Sequence, residues 1–153
     1  VMKEGQVQQF ASPKDIYERP ANMYVAGFMG SPSMNFVPAQ LHHQAGRSTL
    51  RLSGCTQTIT LPNTTVREGA VVVGIRPEHW HVLAEHPAGA LRAQVEMLEP
   101  TGADTYATLL LGDQRVNMRF AAAQAPVLGD EIGLGLDVSA LSLFDPQTQQ
   151  RLN

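Results

Sequence analysis

Apolar and polar residues alternate with a period of two over much of the chain after residue 35. The clearest stretches are 91–97, 115–120 and 132–136. Successive side chains of a strand point to opposite faces, so this alternation predicts strands with one buried and one solvent-exposed face. Residues 70–75 are apolar on both faces, which predicts a central strand. We expect roughly eight short strands, a number typical of a β-barrel or β-sandwich.

Glycine-containing turns predict two hairpins within this β region. Residues 105–111 and 115–120 flank Gly112-Asp113, and residues 49–53 and 57–61 flank Gly54-Cys55. Short connections of this kind join antiparallel neighbours. The region is therefore expected to be mainly antiparallel.

The first 34 residues have a different pattern, with turn and helix signals. A turn is expected at 3–5. Ser12 followed by Pro13 and Asp15 predicts a helix start, because serine caps the N-terminus and proline suits the first helical position. Pro20 should end this helix, since the residue before a proline disfavours the helical conformation.

A second helix is predicted from near Asn22 to Gly30. An apolar stripe recurs on it at helical spacing, formed by Tyr24, Val25, Phe28 and Met29. Leaving such a stripe in water is unfavourable, by about 1.5–3 kcal/mol for a phenylalanine or methionine. We expect it to pack on the β region or on another chain.

Composition and charge narrow the class of protein. The apolar fraction of 43% allows a core, and the charged fraction of 16% argues against disorder. The net charge of −3 and the 6% aromatic content argue against a nucleic-acid-binding module. No apolar run approaches the roughly 20 residues that span a bilayer, and no signal peptide is recognised, so a cytoplasmic location is expected. Val1 is interpreted as the start of a piece cut from a longer polypeptide.

The histidines are the first candidates for metal chemistry. His79 and His81 would share one face of a strand, His86 follows, and His42-His43 form a second pair. No carboxylate or cysteine ligand stands nearby in a known pattern, so exposed polar residues are the favoured interpretation and no metal site is predicted.

Catalytic signals are weak. Cys55 is the single cysteine, which excludes a disulfide framework and a paired-cysteine metal site. The GxxxxGK[ST] phosphate loop is not found in the sequence. We predict no catalytic residue and no bound cofactor here, and we expect the chain neither to bind nor to hydrolyse ATP.

Several motifs, in order, carry a resemblance to a known family. They are residues 12–21 (SPKDIYERPA), 28–36 (FMGSPSMNF), 74–79 (GIRPEH), 98–105 (LEPTGADT) and 143–152 (LFDPQTQQRL). In this order and spacing the chain resembles the C-terminal part of the ATP-binding subunits of bacterial carbohydrate ABC importers. The maltose and sn-glycerol-3-phosphate types are the most similar.

The resemblance implies two regions. Residues 1–34 resemble the end of the nucleotide-binding domain with its linker helices. Residues 35–153 resemble the regulatory domain, an OB-type β-barrel called the transport-associated OB (TOBE) domain. In the family this domain contacts its copy in the second subunit and holds the two ATPase domains together. The implied fold is mainly β, an OB-type barrel preceded by short helices.

The resemblance also implies partners. A second copy of the subunit, the importer's membrane subunits and a cytoplasmic regulatory protein are expected, at the cytoplasmic side of the inner membrane. ATP and Mg belong to the parent subunit, whose ATP motifs lie upstream in the family. The transported substrate does not follow from this sequence.

Arg76 and Glu78 flank Pro77, which cannot donate to a sheet ladder and marks a strand edge or end. One interpretation is a surface ion pair worth about 0–1 kcal/mol. The other is a contact to the partner subunit or to the nucleotide-binding domain, for which Arg76, Glu78, Tyr24 and Phe28 are the candidates.

An alternative function remains open at this point. TOBE modules in other proteins bind oxyanions, so the chain is also a candidate small-ligand or oxyanion sensor. Arg76, Arg115 and Arg119 are the candidate residues, although their spacing does not require such a site.

Two positions depart from the family pattern. Thr101 stands where relatives often have an apolar residue. Gln149 stands where the closing turn often has glycine. A left-handed conformation costs a non-glycine residue about 1 kcal/mol, so this turn is expected to differ.

Overall fold

The computed structural model describes residues 1–84 and 87–153, so His86 lies outside the described residues. Two short helices precede most of the strands, α1 (Pro13–Glu18) and α2 (Met23–Phe28). The strands are β1 (Met2–Lys3), β2 (Gln6–Val7), β3 (Asn35–Gln44), β4 (Arg47–Leu52), β5 (Ile59–Leu61), β6 (Gly69–Ile75), β7 (Trp80–Val82), β8 (Leu91–Pro100), β9 (Asp104–Leu111), β10 (Gln114–Ala121), β11 (Glu131–Leu136) and β12 (Ser142–Phe144). The mainly β prediction is confirmed, with more strands than expected.

The strands form two five-stranded antiparallel sheets and a small leading hairpin. The first sheet has the order β12-β6-β3-β4-β5, and the second has the order β10-β9-β8-β11-β7. Strands β1 and β2 pair with each other. The main core lies between the two sheets and includes Leu41, Leu50, Val73, Leu109 and Leu134, all nearly inaccessible to solvent.

The two predicted hairpins are present. Strands β9 and β10 pair around Gly112-Asp113, and β5 pairs with β4. A further hairpin was not predicted, in which β3 turns into β4 at Ala45-Gly46, both with positive φ. Consecutive left-handed residues are typical of tight two-residue hairpin turns. The missed turn explains part of the difference in strand number.

Strand β6 is an interior strand but not the central one, which is β3. Its apolar character on both faces has another cause. Val71 and Val73 face the main core, whereas Val72 packs on a second cluster that contains Ala26 and Phe144. Helix α2 therefore covers part of the outer face of the first sheet, and β6 is buried on both sides there.

The alternation predicted for residues 91–97 holds only as far as Val95. A bulge between Val95 and Met97 shifts the register of β8 against β9, and Met97 is 47% exposed. One extra residue reverses the faces of the following side chains. The expected burial of Met97 is therefore wrong.

Both helix starts are confirmed by their caps. The Oγ atom of Ser12 accepts a hydrogen bond from Asp15 N at 3.1 Å, and Asn22 Oδ1 accepts one from Val25 N at 2.9 Å. The apolar stripe on α2 is only partly buried: Val25 is inaccessible to solvent, whereas Phe28 is 62% exposed. Each α-helix of the described residues has only six residues, far fewer than the roughly 20 that a bilayer-spanning helix needs. The division into 1–34 and 35–153 stays a prediction.

The closing turn keeps a left-handed residue despite the missing glycine. Gln149 has φ 61°, while its N–H donates to Asp145 O and its carbonyl accepts from Met23 N. We expect Gln149→Gly to raise the free energy of unfolding by about 1 kcal/mol, because glycine adopts this conformation without strain. Chemical denaturation measures this difference. Gln147→Gly, at a position without positive φ, is the control and should give no gain; an equal gain there would contradict the explanation.

Candidate interdomain contact site

Arg76 is a buried cation at the end of β6, with only 2% of its surface exposed. Its Nη1 donates to Met29 O at 2.8 Å and its Nη2 donates to Tyr17 O at 2.6 Å. The guanidinium carbon lies 3.6 Å from the centroid of the Tyr17 ring, within the range of a cation–π interaction. One side chain of the first sheet thus holds the ends of both helices.

The charge of Arg76 is compensated without a direct ion pair. Burial lowers the pKa of Arg76, while nearby Tyr17 and Glu78 act in the opposite direction. Among the described residues, no Arg76–Glu78 pair lies within 4.0 Å, so the surface ion-pair interpretation is wrong. An arginine keeps its proton even when buried, and here carbonyl oxygens and an aromatic face solvate it.

Glu78 contacts the hydroxyl group of the same tyrosine. It lies in the 3₁₀ turn Pro77–His79, and its Oε1 accepts a hydrogen bond from the Tyr17 hydroxyl. Burial, and then this hydrogen bond, raise the pKa of Tyr17 to about 12. Arg76, Glu78, Tyr17 and the Met29 carbonyl together form what we call the Arg76 site. Arg76 and Glu78 were predicted from the sequence as contact residues, whereas Tyr17 was not, because its partners are distant in sequence.

Tyr24 and Phe28 take no part in the hydrogen bonds of the Arg76 site. Their rings stack on α2 with centroids 6.2 Å apart. The Tyr24 hydroxyl donates to Met2 O at 3.3 Å, and Lys3 Nζ lies 5.0 Å from the Tyr24 ring centroid. Phe28 and Met2 are both largely exposed, so an apolar surface is open to a partner at this end of the chain.

Asn35 was also missed, and it joins the two sheets. Its Nδ2 donates to Ile75 O at 3.0 Å and to Asn117 O at 2.8 Å, while its Oδ1 accepts from Asn117 N at 2.7 Å. The side-chain amide of Asn35 thereby bonds to the backbone at the free edge of β10, as a neighbouring strand would. The only sequence signal is an amide at the first position of an alternating strand.

The histidines do not assemble a metal site within the described residues. His79 lies in the 3₁₀ turn and His81 on β7, so they do not share a strand face as expected. His43 is satisfied by protein groups, with Nδ1 2.9 Å from Ser48 Oγ and Nε2 2.8 Å from Val66 O.

The other two arginines of the oxyanion hypothesis already have carboxylate partners. Arg115 lies 2.7 Å from Glu96 and Arg119 lies 3.9 Å from Asp104. Since Arg76 donates to two carbonyls, none of the three resembles an open anion-binding group.

The raised pKa of Tyr17 predicts a pH effect. A proton held more tightly in the folded state stabilises it below about pH 10. This contribution is lost as the pH rises from about 10 towards 12. We expect Tyr17→Phe to reduce the free energy of unfolding at neutral pH by about 1 kcal/mol, and to remove this part of the alkaline loss. Denaturation across pH measures both. If the free energy of unfolding fell equally with rising pH in both proteins, Tyr17 would not be the group that titrates.

Comparisons with known proteins agree with this architecture. A family described as the MalK OB fold domain matches residues 30–80, and the TOBE domain family matches residues 73–144. The structure of the cytoplasmic molybdate-binding protein ModG superposes with a TM-score of 0.57 at 13% identity, over 73% of this chain and 96% of that one. At that identity the likeness concerns the fold alone.

Sequence relatives cover nearly the whole chain. It is 36% identical over 152 residues to the sn-glycerol-3-phosphate import ATP-binding protein UgpC of Chromobacterium violaceum, covering 99% of this chain and 40% of that protein. It is 32% identical to the sulfoquinovosyl glycerol transport ATP-binding protein SmoE of Agrobacterium fabrum, covering 100% of this chain and 43% of that protein. The chain thus spans less than half the length of these relatives.

The OB-type fold and the family resemblance are therefore confirmed. Residues 30–144 therefore carry MalK-type OB-fold and TOBE domains, and over nearly its whole length the chain is similar to ATP-binding subunits of ABC importers.

Proposed function

We propose that the chain is the regulatory and dimerisation part of the ATP-binding subunit of a bacterial ABC importer for a carbohydrate or glycerol 3-phosphate. It acts as an interaction module, and ATP and Mg are bound by the rest of the parent subunit. The observation that supports this proposal most strongly is the match of almost the whole chain to ATP-binding importer proteins.

The Arg76 site supports a mechanical role. Arg76 ties the carbonyls at the ends of α1 and α2 to the first sheet through two charge-assisted hydrogen bonds. If residues 1–34 belong to the nucleotide-binding domain, this contact fixes the position of the barrel against it. A movement of the nucleotide-binding domain would then move the barrel directly, and the reverse.

Dimerisation would work through effective concentration. Two barrels that stay in contact keep two ATPase domains close together, so the domains can separate and meet again within one complex. A cytoplasmic regulatory protein that binds better to the separated state would slow transport. The membrane subunits of the importer would bind the parent subunit at the cytoplasmic side of the inner membrane.

The barrel offers an apolar surface for such a contact. Val127 and Leu128 are 68% and 62% exposed, and their loop is fixed to β8 because Gly129 N donates to Val95 O at 2.9 Å. Met97, beyond the bulge, is also exposed. We place the subunit contact here, since these residues lie within the TOBE match and Phe28 lies outside both matched regions.

Oxyanion or small-ligand sensing through Arg76, Arg115 and Arg119 is not favoured as the function. All three guanidiniums have protein partners. The named relatives are import ATP-binding proteins.

Two matched substitutions test the location of the contact. Leu128→Glu places a charge in the proposed barrel contact and should weaken dimerisation at least about tenfold, equivalent to about 1.4 kcal/mol. Phe28→Glu places the same charge on the exposed helix and should change it little. Sedimentation equilibrium measures both. If Phe28→Glu abolishes the dimer and Leu128→Glu does not, the dimer forms through the leading segment and the proposed interface is wrong.

A further inference from the structure

Residues 149–153 lie between the two helices and β12, and they form hydrogen bonds on both sides. We call this segment the strap. On the helix side, Met23 N donates to Gln149 O at 3.0 Å and Arg151 N donates to Ala21 O at 3.0 Å. Because Met23 is the first residue of α2, these two bonds fix the start of that helix to the strap.

On the barrel side, the strap bonds to β12. Leu152 N donates to Leu143 O at 2.7 Å. The side-chain amide of Asn153 accepts from Leu143 N at 2.8 Å and donates to Leu141 O at 2.8 Å. Strand β12 ends the first sheet and pairs with β6 along one edge, so the strap occupies its other edge.

The helices have little other support from the barrel. Each has six residues, well below the roughly 12–15 that an isolated helix needs to be even marginally stable. Within the described residues, the main core includes none of residues 1–34. The buried part of the apolar cluster under α2 is small and consists of Ala26, Met34 and Phe144. Contacts at the strap and at the Arg76 site must therefore supply much of the attachment.

The strap is itself open to water. Gln149, Gln150, Leu152 and Asn153 are exposed. Regions with few buried apolar contacts and solvent-exposed backbone hydrogen bonds open at a lower free energy than the core of the same protein. The strap and the helices have both properties, whereas the strands around the main core do not.

We propose that the strap is a releasable fastener: when it is displaced from β12, the two helices detach from the barrel while the barrel stays folded. This device belongs to the chain's own fold and does not depend on dimerisation. If residues 1–34 belong to the nucleotide-binding domain, the strap also determines where that domain and the barrel can separate. Only this last step rests on the proposed function.

Hydrogen exchange of the whole chain, followed by NMR, tests whether the helices and the strap open together. Ala26 N donates to Asn22 O within the helical segment, and Arg151 N donates across the contact to Ala21 O. After correction for intrinsic rates, the Ala26 and Arg151 amides should exchange within about threefold of each other, and at least about tenfold faster than Leu109 in the main core. Exchange of Ala26 as slow as that of Leu109, or of Arg151 alone much faster than Ala26, would overturn the proposal.

Two substitutions at one position test whether the strap holds the helices. Leu152→Pro removes the N–H that donates to Leu143 O, whereas Leu152→Ala keeps this N–H and shortens a side chain that is 41% exposed. Leu152→Pro should make exchange at Ala26 at least about tenfold faster, and Leu152→Ala should change it less than about threefold. Equal effects of the two variants, or no effect of the proline, would contradict the proposal.

The fluorescence of Trp80 shows whether the barrel stays folded in Leu152→Pro. Trp80 is the single tryptophan, and it lies in the main core with 3% of its surface exposed. Its emission maximum should be the same in Leu152→Pro as in the original protein. An emission maximum like that of the denatured chain would mean that the whole fold depends on the strap, and the proposed separate opening of the helices would be wrong.

Discussion

Arg76→Ala should lower the free energy of unfolding by about 3–4 kcal/mol, a large loss for a single substitution. The change removes two charge-assisted hydrogen bonds and a cation–π contact. It also leaves the carbonyls of Tyr17 and Met29 without their partner. For a domain of this size the melting temperature should fall by about 10 °C. Thermal and chemical denaturation measure both quantities.

Two further variants test whether the contacts of the Arg76 guanidinium cause this loss of stability. Arg76→Lys keeps the charge but loses the two-pronged donor geometry, so it should recover less than half of the loss. Arg47→Ala removes an exposed arginine from β4 and should change stability by less than about 0.5 kcal/mol. If Arg76→Ala were as mild as Arg47→Ala, the helices would not depend on the Arg76 site.

Asn35→Ala should lower the free energy of unfolding by about 2–3 kcal/mol. The substitution leaves the N–H and the carbonyl of Asn117, and the Ile75 carbonyl, without the Asn35 amide. Because Asn35 connects the edge of β10 to the first sheet, the loss should appear locally as well. Hydrogen exchange should be faster at the Asn117 amide and little changed at Leu109, in the middle of the core.

Asn35→Asp tests the same contacts by replacing the donating Nδ2 group with a carboxylate oxygen. A carboxylate facing the Ile75 and Asn117 carbonyls disfavours its own charged form, so its folded-state pKa should rise above the unfolded value of about 3.9. The variant should therefore be destabilised at neutral pH and regain stability relative to the original protein as the pH falls towards 4. A difference from the original protein that does not change with pH would contradict the assigned donor roles.

The elements of this fold were largely predictable because each has a local signal. Helix α1 follows from Ser12 and Pro13, and the β9–β10 hairpin follows from alternation on both sides of Gly112. Predictions from local sequence were wrong where contacts between distant parts of the chain determine which side chains are buried. Met97 is exposed because a bulge moves it to the other face, and β6 is apolar on both sides because α2 packs on its outer face.

The candidate site was only half predictable for the same reason. Arg76 and Glu78 stand in a recognisable motif, but their contact to Tyr17 spans about sixty positions of sequence. Residue identity indicates what a side chain can do, and the fold decides which side chains meet.

In the function proposed above, this chain holds two copies of its parent subunit together. Sedimentation velocity of the purified chain, from low to tens of micromolar, measures this association. We expect a monomer–dimer equilibrium with the dimer dominant at the upper concentrations, for the original protein and for Phe28→Glu alike. A chain that sediments as a monomer at every concentration would contradict the proposed dimerisation role.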